Sequence, residues 1–167
     1  MLRDSIFVKK NTLIKNFNKL KIGILGGGQL GRMLVKAGSD YGLAIKAMDA
    51  DGNAPIKNFI KSFTQGSITN YDDVMAFGNE CDLLTIEIEN VNTKALADLE
   101  KNGINVFPQP HIINLIKDKS LQKQFYKDHH IPTAPFEITH SKSDVKAFAH
   151  KLPFVNKLAC EGYDGRG

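Results

Sequence analysis

Three groups of residues in this sequence have the types and spacing of binding sites. Gly26, Gly28 and Gly31, within GILGGGQLGRM, have the G-x-G-x-x-G spacing. Glycines there let the backbone turn tightly, and a helix starting near Gln29 would aim unpaired N–H groups and its positive dipole end at an anion. Asp49 is the acidic residue that a dinucleotide reading needs for ribose hydroxyls. Many doubly wound sheets keep such a loop merely to pack helix on strand, so spacing alone leaves a dinucleotide, another phosphate and plain packing open. The second group is the pair Glu87 and Glu89 in EIE. On a strand they project to one face, and two adjacent carboxylates repel unless an amine or a ribose diol joins them. A solvated strand end is the bland alternative. The third group is Lys157, alternating with Val155 and Ala159, followed by Gly162-Tyr163-Asp164-Gly165-Arg166-Gly167. Three glycines allow close backbone approach to phosphates, Arg166 adds a planar donor fork, and an ordinary hairpin loop is the competing reading.

These residues need elements to position them. From Lys21 onward, strand and helix signals alternate. KIGIL reads as a first strand, and QLGRMLVKAGSDYG as a helix with Leu30, Met33, Leu34 and Ala37 on its inward face. LAIKAMDA and KSFTQGSI are the next two strands. TNYDDVMAFGNE is a helix capped by Thr69 or Asn70, with Val74 and Phe77 inward. CDLLTIEIENV is a fourth strand, NTKALADLEKNG a helix with a terminal glycine, and INVFP the fifth strand. Alternation of this kind predicts an α/β fold: a doubly wound parallel five-stranded sheet over 21–110, after a basic extension over 1–20. Ligands of such sheets sit beyond the carboxyl ends of the strands, where the strand order switches, which is where the glycine loop falls.

Residues 111–167 differ in character. Lysine-rich helices run from about His111 to His129, IPTAP is a turn-rich link, FEI and PFVNKLA read as short strands, and SKSDVKAFAHK as a helix with serine caps. The chain ends inside EGYDGRG, a loop that normally joins two strands. The expectation is therefore an incomplete second domain and a chain that is a piece of something longer.

Composition narrows the class. Hydrophobic content of 42% and charged content of 24% are globular values. Arg3, Lys9, Lys10, Lys15 and Lys19 against Asp4 account for the whole net charge of +4, so the body carries no bulk electrostatic case for nucleic acid. No apolar run approaches the ~20 residues of a membrane helix. Cys81 and Cys160 suit no metal spacing and read as small buried hydrophobes in a reducing cytoplasm, so the expectation is a soluble, cytoplasmic protein.

GILGGGQLGRM, IEIENV, KDKSLQKQF, IPTAPF and KLACEGYDGRG, in this order and spacing, resemble the bacterial-type 5-(carboxyamino)imidazole ribonucleotide synthase family of the ATP-grasp superfamily, from about Lys21 to Gly167. The resemblance implies a Rossmann-like pre-ATP-grasp domain over 21–110 and the start of an ATP-grasp domain over 111–167. It implies a reaction in which ATP phosphorylates bicarbonate to carboxyphosphate and the amine of 5-aminoimidazole ribonucleotide captures the carboxyl group. Gln29, Leu30 and Glu87 would contact the ribonucleotide, with Glu89 a weaker candidate. Lys119, Lys157, Gly162, Tyr163, Asp164, Gly165, Arg166 and Gly167 would bind ATP. Mg2+ would bridge the phosphates, with its acidic ligands and the catalytic residues expected beyond Gly167, so that this chain alone should show no turnover. The intact family commonly forms homodimers.

Two positions depart from the family pattern. Glu161 stands where a glycine is common, and Lys119 where an arginine is common, which keeps the charge but loses the planar fork. Three other readings remain at this level: a related purine ligase such as formate-dependent glycinamide ribonucleotide transformylase, a nicotinamide oxidoreductase, and a non-catalytic nucleotide-binding remnant.

Overall fold

The structure, a computed structural model, describes residues 19–160. Five strands form one sheet: β1 (Lys21–Leu25), β2 (Ala44–Asp49), β3 (Ser62–Gln65), β4 (Leu83–Ile86) and β5 (Asn105–Phe107). Their order is β3-β2-β1-β4-β5 and every pair is parallel. β1 is therefore the middle strand, with Leu25 level with Met48 on one side and Ile86 on the other. The chain winds outward from β1 through β2 to β3, then crosses back to β4 and β5. That reversal opens a switch point between the carboxyl ends of β1 and β4.

Helices cover the sheet because its inner strands, KIGIL, AIKAMD and LLTI, carry apolar residues on both faces, whereas the edge strands SFTQ and NVF are mostly exposed. Under α1 (Gln29–Asp40) lies a cluster of Ile24, Val35, Ala47, Ala54 and Ile56, with Ile45, Ile60 and Phe63 at its margin. Elsewhere Leu84 packs with Phe77 of α2 (Tyr71–Gly78) and Leu99 of α3 (Thr93–Lys101) around Gly23 and Gly78. A Cβ on Gly78 would come within 2.3 Å of Leu99 Cδ1, so the missing side chain lets α2 and α3 approach. Val74 and Phe77 are buried as expected, and Asn70 rather than Thr69 caps α2.

The inward face of α1 differs from the one its apolar residues suggest. Gly31, Val35 and Gly38 are buried, whereas Leu30, Met33 and Leu34 are exposed. Two glycines seven residues, about two turns, apart bring the helix backbone onto the sheet, and a Cβ on Gly38 would lie 2.5 Å from Ile45 Cδ1. Close approach thus outweighs side-chain hydrophobicity in choosing the face. Leu34 and Tyr41 instead line an apolar groove with Ile22, Leu43 and Ile45.

The chain divides into two compact units, Met1–His111 and Ile112–Gly167. After α4 (Pro110–Lys117), the second contains α5 (Lys119–Asp128), α6 (Lys142–Ala147) and a short 3-10 turn at Ala149–Lys151. FEI and PFVNKLA form no strand. A strand is stable only against a partner, and the described residues of this unit supply none. α5 and α6 rest on their caps: Asp118 accepts from the N–H groups of Ser120 and Leu121, and Ser141 forms a reciprocal capping box with Asp144.

Candidate functional site

The glycine loop leaves β1 at its carboxyl end. Gly26 has a φ of +104°, a conformation that glycine adopts without a Cβ penalty, and its N–H donates to the Met48 carbonyl at 2.9 Å. Gly28 is the N-cap of α1 and brings no side chain to cap it, whereas Asn70, Asn92, Asp118 and Ser141 cap α2, α3, α5 and α6. Only at the glycine loop, among these five helices, are the first-turn N–H groups left without a side-chain acceptor. Gln29 and Leu30 are the first two residues of that turn, and both are exposed.

Glu87 stands across from this turn. Its N–H donates to the Leu25 carbonyl at 2.8 Å, which fixes its backbone beside the end of β1. Its carboxylate lies where two side chains would otherwise be. A Cβ on Gly26 would meet Glu87 Oε2 at 2.7 Å, and a Cβ on Gly28 would meet Oε1 at 2.6 Å. A Cβ on Gly31 would press on the Gly26 carbonyl oxygen at 3.0 Å. The glycine spacing therefore has a local purpose. It makes room for one carboxylate, half-buried, at the mouth of the loop.

Glu89 does not share that position by strand alternation. β4 ends at Ile86, and Glu87, Ile88 and Glu89 form a bend in which the Glu89 carbonyl accepts the Val91 N–H at 2.8 Å. β4 pairs with β1 only as far as Ile86, level with Leu25, and with β5, the outer neighbour, only as far as Thr85, so the ladder stops before EIE. The expectation of two carboxylates on one strand face is corrected to one carboxylate in the loop.

Asp49 closes the other side. Its Oδ2 accepts the Gly27 N–H at 2.6 Å and its Oδ1 the Asp51 N–H at 2.8 Å. Gly27 returns a bond through its carbonyl to the Ile56 N–H at 3.0 Å. Arg32, charged and near the loop, places its guanidinium 4.3 Å from the centre of the Phe59 ring. Sequence reasoning missed these packing roles of Asp49 and Arg32. The pairing of Asp49 with a glycine 22 positions earlier was legible only as a generic acidic residue ending β2.

In the second unit, the Lys119 N–H donates to the Ala159 carbonyl at 2.7 Å, which ties the segment carrying Lys157 to the start of α5. No motif announced this contact. The Ser120 hydroxyl, 2.5 Å from Asp118 Oδ1, and then the Leu121 and Ser120 backbone N–H groups, hold the Asp118 carboxyl below its usual range. Lys157 is exposed and lies on no strand, so the proposed alternation with Val155 and Ala159 across a covered face does not occur. Glu161 and the loop residues Gly162, Tyr163, Asp164, Gly165, Arg166 and Gly167 lie outside the described residues.

Among the described residues no three His, Cys, Asp or Glu side chains gather as a metal site would require of protein ligands alone. Cys81 is buried as expected, and burial pushes its thiol up to about 11, whereas the expectation of a buried Cys160 is corrected, because its segment has no core to cover it and it is exposed; both are free. No helix among the described residues is long and apolar enough to cross a membrane.

Fold and site together define a doubly wound parallel α/β domain with a glycine loop and a single carboxylate at its switch point. The chain belongs to the ribonucleotide synthetase preATP-grasp domain family, whose model matches residues 19–117. It is 38% identical over 153 residues to the phosphoribosylaminoimidazole carboxylase of Candida glabrata, covering 87% of this chain and 27% of that protein. It is 34% identical over 163 residues to the N5-carboxyaminoimidazole ribonucleotide synthase of Staphylococcus aureus, covering 91% and 42%. Among solved structures it resembles the Aspergillus clavatus N5-carboxyaminoimidazole synthase in complex with ADP and 5-aminoimidazole ribonucleotide, with a TM-score of 0.71 and 31% identity over 81% of this chain and 36% of that one. The chain thus spans between about a quarter and two-fifths of the length of these relatives.

Proposed function

We propose that this chain carries the ribonucleotide-binding part of an ATP-dependent carbon–nitrogen ligase that carboxylates 5-aminoimidazole ribonucleotide in purine biosynthesis. In the overall reaction a bicarbonate oxygen takes the terminal phosphoryl group of ATP, giving carboxyphosphate and ADP. The exocyclic amine then attacks the carboxyl carbon, the C–N bond forms, phosphate leaves and the amine loses a proton. Glu87 carries the reading. A carboxylate fixed in the mouth of a glycine loop seeks a donor, and a ribose hydroxyl or an amine is the matching group. Gln29 and Leu30 offer first-turn N–H groups on the opposite side of the same opening. The likeness to a relative crystallised with ADP and 5-aminoimidazole ribonucleotide supports the same assignment.

Lys119, Lys157 and Gly162, Tyr163, Asp164, Gly165, Arg166 and Gly167 are proposed for ATP, within an ATP-grasp domain over 111–167. Support for placing Lys119 and Lys157 in one site comes from the Lys119–Ala159 backbone bond. Mg2+, whose charge offsets that of the phosphates, would take its ligands from other residues of the whole enzyme. Bicarbonate as co-substrate, a homodimer and a cytoplasmic location complete the proposal.

Calorimetric titration of 5-aminoimidazole ribonucleotide into this chain tests it. Binding that weakens about tenfold or more in Glu87→Gln, which removes the negative charge but keeps the shape, is the expected result. Absence of binding by the unmodified chain, or binding indifferent to Glu87→Gln, would remove the assignment.

A further inference from the structure

A carboxylate at the end of β2 in a doubly wound sheet is, in dinucleotide sites, the group that takes ribose hydroxyls. Here each of its oxygens already accepts a backbone N–H. Asp49 Oδ2 holds the Gly27 N–H at 2.6 Å and Oδ1 holds the Asp51 N–H at 2.8 Å. The backbone on either side is tied as well: the Asp49 carbonyl accepts the Gly66 N–H at 3.0 Å, and the Met48 carbonyl accepts the Gly26 N–H at 2.9 Å. Gly27 is walled by the same region, since a Cβ there would lie 2.9 Å from Ala54 Cβ, 2.9 Å from Ile56 Cγ2 and 3.0 Å from Asp49 Cβ. Its N–H and its carbonyl are thus both committed to the 49–56 segment. The helix-opening N–H groups from Gln29 onward, and the Glu87 carboxylate, remain on the ligand side.

We infer that Asp49 is a positioning residue that fastens the glycine loop to the 49–56 turn and, by doing so, gives up the ribose-binding role that would make this a dinucleotide site. Two charge-assisted backbone bonds fix where Gly26 and Gly28 stand, and those two glycines make the space that the Glu87 carboxylate fills. The geometry of the loop itself carries this inference; only its meaning for substrate affinity rests on the proposed function.

Amide hydrogen exchange followed by 15N NMR on the 167-residue chain tests it with Asp49→Asn and Asp49→Ala. In Asp49→Ala the Gly27 and Asp51 amides should exchange roughly tenfold to a hundredfold faster, with the Leu84 and Leu99 amides unchanged. Asp49→Asn, isosteric and keeping one acceptor oxygen, should speed one of the two amides; it decides the question alone if Asp49→Ala does not fold. Wild-type protection of both amides in Asp49→Asn would overturn the inference. So would NADH binding to the unmodified chain, read by its fluorescence, that Asp49→Asn abolishes. Affinity for 5-aminoimidazole ribonucleotide should fall about tenfold in Asp49→Asn. If the unmodified chain binds none, the proposed function fails, while the exchange rates and the NADH titration still decide the role of Asp49.

Discussion

In residues 19–111 the sheet and its helices bury Ile24, Leu25, Ala47, Met48, Leu84, Leu96 and Leu99 almost completely. Between residues 114 and 160 no residue whose burial is described is buried, and α5 and α6 have none. The first region holds its shape by exclusion of water, the second by caps and neighbouring backbone bonds. Glu87, the group proposed to bind the ribonucleotide, therefore inherits rigidity from a core. Lys119 and Lys157 depend on local hydrogen bonds within their own unit. Substitutions should carry different consequences in the two places, and that contrast can be measured.

The largest separation should come from truncating apolar side chains. Leu99→Ala removes a fully buried side chain packed on Gly78 and should cost about 2–5 kcal/mol in denaturant unfolding followed by circular dichroism. Phe125→Ala in α5, where the ring is half-buried and stacks on His129 with 4.0 Å between centroids, should cost under about 1 kcal/mol. Similar costs at the two sites would erase the distinction.

Thiol reactivity compares the regions in one experiment. With burial raising the Cys81 thiol to about 11, a thiol reagent at pH 8 should modify Cys160 while leaving Cys81 protected until the chain unfolds. The folded state holds the Cys81 proton more tightly than the unfolded state, so this group favours folding below pH 9 and loses that contribution as pH rises toward about 11. Equal labelling of the two cysteines in native conditions would contradict the buried placement.

Cap removal sharpens the account of the second region. Asp118→Ala should cost α5 about 1 kcal/mol, seen as faster exchange of the Ser120 and Leu121 amides with the sheet unaffected. Because the Asp118 carboxyl is held below its usual range, the same protection in the unmodified chain should persist above pH 3.8 and fade as pH falls below it. The smallest effect is expected at His130, whose φ of +54° is in the left-handed region after α5. His130→Gly should raise local stability by about 0.5 kcal/mol, as relief of backbone strain slightly exceeds the added chain entropy.

How much was legible in advance follows the same division. The strands of the sheet announced themselves by apolar runs bounded by glycine and asparagine, and the parallel order followed from alternation with helices. The glycine loop was readable because glycine spacing is a local property, and Glu87 because it follows an apolar run near that loop's expected side of the sheet. The inward face of α1 was not, because Gly31 and Gly38 carry no apolar signal and act only through how near they let the sheet come. The end of β4 at Ile86 depended on where its pairing with β1 stops, at Leu25, which is information from another strand. FEI and PFVNKLA read as strands from composition, but ladder bonds come from partners that composition does not reveal.

The strand order also sets a timetable for assembly. β1 obtains its first neighbour from β2 soon after synthesis, but its other edge waits for β4; Lys21 and Asp82, which join across that edge, are 61 positions apart. At about 5–20 residues per second the ribosome needs roughly 3–12 s to deliver the missing strand. During that interval the nascent glycine loop has no Glu87 beside it, and the open edge of β1 is available to any passing extended chain. Slowing translation between codons 50 and 80 would lengthen that exposure, and a chaperone that shields strand edges would have its task there.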